Sequence, residues 1–332
     1  MTEHEYPTLT AADDGLHPAS DHWWETETAW FSFSIPERGL AGWFYNQVLA
    51  TQSACTGGAW VWDASPAAAR YDRRVTAVPL DVPSVDLCDA RLPTGCHLTV
   101  VEPLRVYTVR YDDGDAFSAD LRFEGIMAPN SHPLGVAPFW HGRHFDQPMH
   151  VTGTIRLDGE DLEVDCYAGR DRSWGPRPMG PDPRKPKPDP TAAPKKRTYP
   201  KEGVGYPFAT AGPKDSWLLY TRPTVVDGVA SDELGTGYLL RDGVYSHLAE
   251  GRRRTWLDPD TRWITRIEVE ATDELGRSFE ATGELVARHG DERTPVGTGL
   301  FHWTWDGLEG WGEDQTYAPQ DILEALDKSI PI

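Results

Sequence analysis

The chain has 332 residues, 39% of them hydrophobic and 25% charged, and its 52 acidic and 32 basic residues leave a net charge of −20. That length suits two domains or one large β domain, and 14 Trp, 12 Tyr and 10 Phe supply the bulky core that disordered chains lack. The acidity argues against nucleic acid or anionic membrane as the main partner, and no apolar run approaches the roughly 20 residues of a spanning helix.

Residues 1–20 hold no Lys or Arg and no apolar run, so no signal peptide is expected and the protein reads as cytoplasmic. Cys55, Cys88, Cys96 and Cys166 form no CxxC pair and no zinc-finger spacing with His, so they read as reduced, buried apolar residues. Residues 39–50 fit either a helix or a loop plus strand. Further on, short stretches alternate with period two. Residues 105–111 end at Asp113-Gly114, and Phe117 to Phe123 alternates again. Residues 151–157 run into Asp158-Gly159, and 238–240 run into Asp242-Gly243, each followed by another alternating stretch. Asp-Gly supplies the positive φ of a tight hairpin turn. Residues 263–270 and 277–287 continue the pattern, which predicts a meander of antiparallel strands and a nearly all-β protein.

Residues 176–200 contain nine prolines, and 179–201 carry seven Lys/Arg against two Asp. Such a segment cannot form a ladder and reads as an extended basic connector; a docking loop or lid is the alternative. The expected organisation is an N-terminal β domain over 20–178, a linker over 179–203, a C-terminal β domain over 204–318 and a tail over 319–332. Pro319 and the early acids of 319–328 predict a short C-terminal helix there. The chain lacks G-x-S-x-G, G-x-G-x-x-G, Walker A and H-E-x-x-H patterns, so hydrolase, dehydrogenase and NTPase readings have no local support.

Residues 144–178 read as a polar approach, a hairpin and a turn from Gly169 to Gly175 that presents Arg170, Asp171, Arg172 and Trp174. Flanking arginines would hold Asp171 ionised and oriented, with Trp174 as a flat apolar wall. This stretch resembles the carotenoid 1,2-hydratase/AttH-like superfamily, whose members end their first β domain with a G-x-D-H-x-W-G-like signature. An uncharacterised actinobacterial branch has the similar form Arg-Asp-His-Ser-Trp-Gly-Pro-Arg. The resemblance extends to Trp30-Phe31, Glu102-Pro103, Phe117–Phe123, the 151–167 hairpin and the closing segment 307–313. It implies two lipocalin-like antiparallel β-barrel domains packed together, with a hydrophobic β-barrel cavity that holds the ligand. It also implies hydration, dehydration, cyclisation or isomerisation of an apolar terpenoid, steroid-like or polyketide molecule, with no metal or organic cofactor. The chain departs from the pattern at Arg172, where the signature has His. It departs again at Tyr220-Thr221-Arg222, where the hydratases carry a Tyr-x-Asp whose Asp protonates the alkene.

Alkene hydration needs a carboxylic acid kept protonated by an apolar site, and π faces to steady the cation. Asp171 is the candidate acid, with ion-pair partner of the nearby arginines as its structural alternative. His144 and Asp146 are the second catalytic candidates, because residues two apart on a strand share a face; they belong to a polar cluster beginning at His141. Candidate substrate contacts are Trp174, Arg172, Tyr220, Arg222, Trp217, His302 and Trp303, among aromatics that include Trp140. A non-catalytic carrier of a hydrophobic, acidic ligand is the alternative function, since barrels hold ligands without chemistry. Exposed β edges leave a homodimer open.

Overall fold

The computed structural model describes residues 5–65, 69–134, 142–177, 182–185, 203–226, 229–261, 263–289 and 296–317. Trp140, His141, most of the proline-rich segment and the expected helix at 319–328 lie outside them. The first unit comprises β1 (Glu25–Ile35), β2 (Leu40–Leu49), β3 (Ala54–Trp62), β4 (Tyr71–Pro79), β5 (Asp89–Arg91), β6 (Cys96–Glu102), β7 (Val106–Asp112), β8 (Phe117–Gly125), β9 (Asn130–Ser131), β10 (Arg143–Leu157) and β11 (Glu160–Pro176). The second comprises β12 (Val204–Gly212), β13 (Asp215–Val226), β14 (Val229–Arg241), β15 (Val244–Leu257), β16 (Ile264–Asp273), β17 (Ser278–His289), β18 (Val296–Trp305) and β19 (Leu308–Tyr317). Residues 39–50 thus resolve as strand. Among the described residues the only helical segments are short 3₁₀ turns, and no helix is long and apolar enough to cross a membrane.

The second unit is a closed antiparallel barrel from β12 round to β19. The first is one sheet, ordered β4-β3-β2-β1-β11-β10-β8-β7-β6-β5, with β9 paired on β10. The two packed barrel-type units match the expectation, except that the first curls without closing. Its edges explain this. β5 has three residues, and β4 is exposed, charged and bent by a positive φ at Ala77. Short, charged or bulged edges resist further pairing. Tyr71 on β4 instead reaches across the curl to Tyr111 on β7, hydroxyl to hydroxyl at 2.9 Å.

The Asp-Gly turns behave as their chemistry requires. Asp158-Gly159 and Asp242-Gly243 both take positive φ at each residue, as does Asp306-Gly307 between β18 and β19. Two successive positive φ values match the twist of paired strands. Asp113-Gly114 differs: only Gly114 is left-handed, and the Asp113 N–H closes a longer loop onto Phe117 O.

Strand parity divides the residues between two cores and an interface. On β1, Ala29, Phe31, Phe33 and Ile35 fill the curled sheet, while Trp30 faces the barrel. On β3, Ala59 and Val61 go inward, and Trp60 and Trp62 face the barrel. On β13, Trp217 and Leu219 fill the barrel, while Leu218 and Tyr220 face the sheet. Inside the barrel Trp217 meets Trp303 edge-on at 4.8 Å, and both are fully buried. Bulky indoles thus occupy part of the barrel interior, where the ligand cavity was expected.

The seam that closes the barrel is tight at backbone level. A Cβ on Gly312 of β19 would lie 1.8 Å from the Phe208 carbonyl oxygen of β12. Gly312→Ala must therefore push the two strands apart, and is expected to cost about 2 kcal/mol or more in urea denaturation.

Candidate active site

Between sheet and barrel lies a cavity of about 540 Å³. One wall comes from the sheet: Trp30 of β1, Trp43 and Tyr45 of β2, and Trp60 of β3. The other comes from the barrel: Val204 and Tyr206 of β12, Tyr220 of β13, and Gln315 and Tyr317 of β19. The indoles interlock, with Trp43 at 5.4 Å from Trp30 and 5.5 Å from Trp60. Polar groups gather where β10 and β11 border the cavity: His144, Asp171 and Arg177.

Register puts them there. Asp146 pairs with Asp171, and His144 with Ser173, across β10 and β11. Directly opposed residues on one face bring their side chains together. Asp146 is buried behind the cavity wall and accepts three hydrogen bonds. His144 Nε2 donates at 2.8 Å; His132 Nε2 and the Tyr206 hydroxyl donate to the same carboxylate. Burial alone would raise the Asp146 pKa, but the two imidazoles win and hold it well below the usual carboxylate range. His144 is the converse: burial disfavours its charge, yet Asp146, with help from Asp171, raises its pKa. Burial pushes the Asp171 carboxyl up to about 6, against the pull of His144, Arg177 and Arg170 and with a push from Asp146. The Tyr206 phenol is raised by burial and by Asp146, so it stays a donor.

The arginines that flank Asp171 in sequence form their ion pairs elsewhere, although Arg170, like Arg177, still pulls its pKa down through space. Alternation sends Arg170 and Arg172 to the opposite face of β11. There Arg170 Nη2 binds Asp14 at 2.9 Å, with its guanidinium 3.8 Å above the Tyr107 ring. Arg172 Nη1 binds Glu27 at 2.9 Å and the Thr28 carbonyl at 2.7 Å. This corrects the picture of a carboxylate clamped between guanidinium groups. Arg177 is the cation that borders the cavity, with hydrogen bonds to Ser173 Oγ at 3.2 Å and the Tyr45 hydroxyl at 3.4 Å.

Of the sequence candidates, Asp171, His144, Asp146 and Tyr220 are brought together. Trp174 lies on the Arg172 face, stacked on His17 at 4.0 Å. Trp217 and Trp303 fill the barrel. His302 points outward beside Trp311, with a ring separation of 4.9 Å. Arg222 sits across from Glu233 in the β13–β14 pairing, apart from the cavity lining. Sequence reasoning missed His132, Tyr206, Trp30, Trp43 and Trp60. The alternation in Ala-Trp-Val-Trp at 59–62 signalled a second aromatic face for β3. Nothing local signalled His132, which follows a two-residue strand.

A buried acid also stands behind the aromatic wall. Glu313 accepts a hydrogen bond from Trp43 Nε1 at 2.8 Å, and burial pushes its carboxyl up to about 8. His132, His144 and Asp146 offer ligand atoms within 4.8 Å of one another, a set that could hold a metal ion. The hydrogen bonds already account for their convergence: one ionised carboxylate saturated by three donors.

No curated protein matches the chain. Solved structures do. An AttH-like protein from Nitrosomonas europaea is 14% identical, with a TM-score of 0.63 over 96% of this chain and 99% of that one. The protein CghA is 14% identical, with a TM-score of 0.55 over 89% and 88%. Kievitone hydratase from Nectria haematococca is 11% identical, with a TM-score of 0.49 over 95% of each. At these identities the likeness to the first two is one of fold. The β10–β11 hairpin and the sheet around it fall within a family model that matches residues 10–184, just over half of the chain, and the protein belongs to that family, the domain of unknown function DUF7064.

Proposed function

We propose that the protein is an enzyme that moves protons on an apolar small molecule held in the cavity between its two β units. The reaction class is hydration or dehydration, with cyclisation or isomerisation as variants of the same chemistry, on a terpenoid, steroid-like or polyketide skeleton. The observation that carries this is that Asp171 and His144 border the same largely aromatic cavity. Burial raises Asp171 to about 6 and the Asp146 charge raises His144, so near neutrality the pair's proton rests mainly on His144, and its transfer to Asp171 gives the reactive form. In that state one group gives a proton and the other takes one. Protonated Asp171 would add its proton to an alkene carbon, leaving a cation against the indole faces. Neutral His144 would take a proton from the water that traps the cation, with Asp146 fixing its ring. Proton balance is restored when the His144 proton returns to Asp171.

The test is mass spectrometry of a pooled panel of terpenoids, sterols and prenylated aromatics incubated with the protein in oxygen-18 water. Uptake of labelled water, loss of water, or a shifted retention time at unchanged mass is the expected result. Compounds that co-purify unchanged would replace this reading with that of a carrier, for which Arg177 would hold an acidic ligand group.

A further inference from the structure

We propose that His132 is a positioning residue for the cavity's proton chemistry: it grips Asp146 from behind, so that the Asp146–His144 pair keeps one geometry while the charge changes on His144 alone. The assignment rests on the reading of His144 and Asp171 as the proton-handling pair, and extends it to a residue that touches neither the cavity nor the substrate.

The geometry is asymmetric. Asp146 lies between two imidazoles, with His144 on one carboxylate oxygen and His132 on the other. Only His144 borders the cavity. His132 is sealed, 3% exposed, with its ring 4.4 Å from His144 and 5.5 Å from Tyr220. Its backbone is fixed as well: the His132 N–H donates to the His144 carbonyl at 2.9 Å, and β9 just before it pairs with β10 at Asp146. His132 spends its Nε2–H on Asp146. Its other nitrogen, Nδ1, is buried with no partner among the described residues. A proton placed there would have no acceptor among the described residues and would face the charge of His144, which disfavours the charged ring. Burial pushes its pKa down and, with His144, outweighs the upward pull of Asp146. A neutral donor on the far oxygen can hold the carboxylate without competing for the mobile proton. Such support behind a reacting group is what keeps it at working distance.

The groups facing His144 are Asp146 on its own strand, Asp171 on β11, Arg177 beyond it, His132 after β9 and Tyr206 on β12. Of these, His132 and Tyr206 are neutral, and His132 is the one that holds the carboxylate oxygen opposite His144. The experiment follows the imidazole nitrogens of His144 by NMR in ¹⁵N-histidine-labelled full-length protein, assigned with His144→Gln. In His132→Leu the carboxylate loses one donor and leans harder on His144, so the His144 titration should move up by about half a pH unit or more. His132→Gln keeps an N–H for Asp146 and should restore the wild-type titration. With a turned-over substrate in hand, kcat/KM should fall about 10- to 100-fold in His132→Leu and recover in His132→Gln, the cost of misplacing a reacting group by about an ångström. A His144 titration unmoved in His132→Leu, with only lower thermal stability, would overturn the proposal and leave His132 a packing residue. So would a stoichiometric metal that co-purifies and whose chelation switches the His144 signals. A shifted titration without turnover of any panel compound would keep the positioning role and count against the enzymatic reading instead.

Discussion

Replacing Asp171 with Asn is expected to lower kcat by about 10²- to 10⁴-fold, the range for loss of a general acid, with little change in KM. Asn fills the same space and keeps a polar group at the cavity surface, so the fold should survive. Stability should hold or rise at neutral pH, because the substitution removes a carboxyl whose ionised form is disfavoured by burial. The sign follows from linkage. The folded pKa, about 6, lies above the ordinary carboxylate value of 3.8. The proton's contribution to stability is therefore complete below the unfolded pKa and is lost as pH rises through about 6. Asn has no such loss. A second signature separates a catalytic Asp171 from a merely structural one: the negative charge of Asp171 helps raise His144, so the His144 titration should shift down in Asp171→Asn. Wild-type turnover in the Asn variant would remove Asp171 from the mechanism.

The second large effect is on stability and lies at Glu313. Its carboxyl is buried against Trp43, with no Lys or Arg among its hydrogen-bond partners in the described residues, and its pKa is raised from 4.5 to about 8. The folded state keeps a proton that the unfolded state gives up. Stability contributed by that proton is fully present below about 4.5 and is lost as pH rises through about 8. Each tenfold gain in proton affinity corresponds to about 1.4 kcal/mol, so the full loss is on the order of 4–5 kcal/mol, an upper bound for a site that can relax. Glu313→Gln keeps an acceptor for the Trp43 indole and removes the titration. The variant should match wild type near pH 5 and exceed it by several kcal/mol at pH 9 in urea denaturation. Parallel curves over that range would mean that Glu313 is charged in the folded protein. Holding a neutral acid behind the Trp43 wall carries this alkaline cost, which is the kind of trade made near functional sites.

The sequence by itself determined much of the architecture. Asp158-Gly159 and Asp242-Gly243 fixed hairpins because few other dipeptides accept consecutive positive φ. Alternation fixed the strands around them, and the proline-rich run that begins at Pro176 falls where the first sheet ends. The hairpin carrying His144, Asp146 and Asp171 was legible too, since a two-residue step on a strand keeps one face. Other features depended on register and packing. That Arg170 and Arg172 leave Asp171 follows from the pleat, yet their engagement by Asp14 and Glu27 requires an N-terminal segment folded back from more than 140 residues away in sequence. His132 has no periodic signal and reaches Asp146 only because β9 pairs with β10. Trp217 and Trp303 look in sequence like the cavity tryptophans Trp43 and Trp60. Barrel closure turns the first pair inward, and the docking of sheet on barrel encloses the second. Local chemistry fixes turns and faces; which faces meet is settled only when the whole chain buries its apolar surface at once.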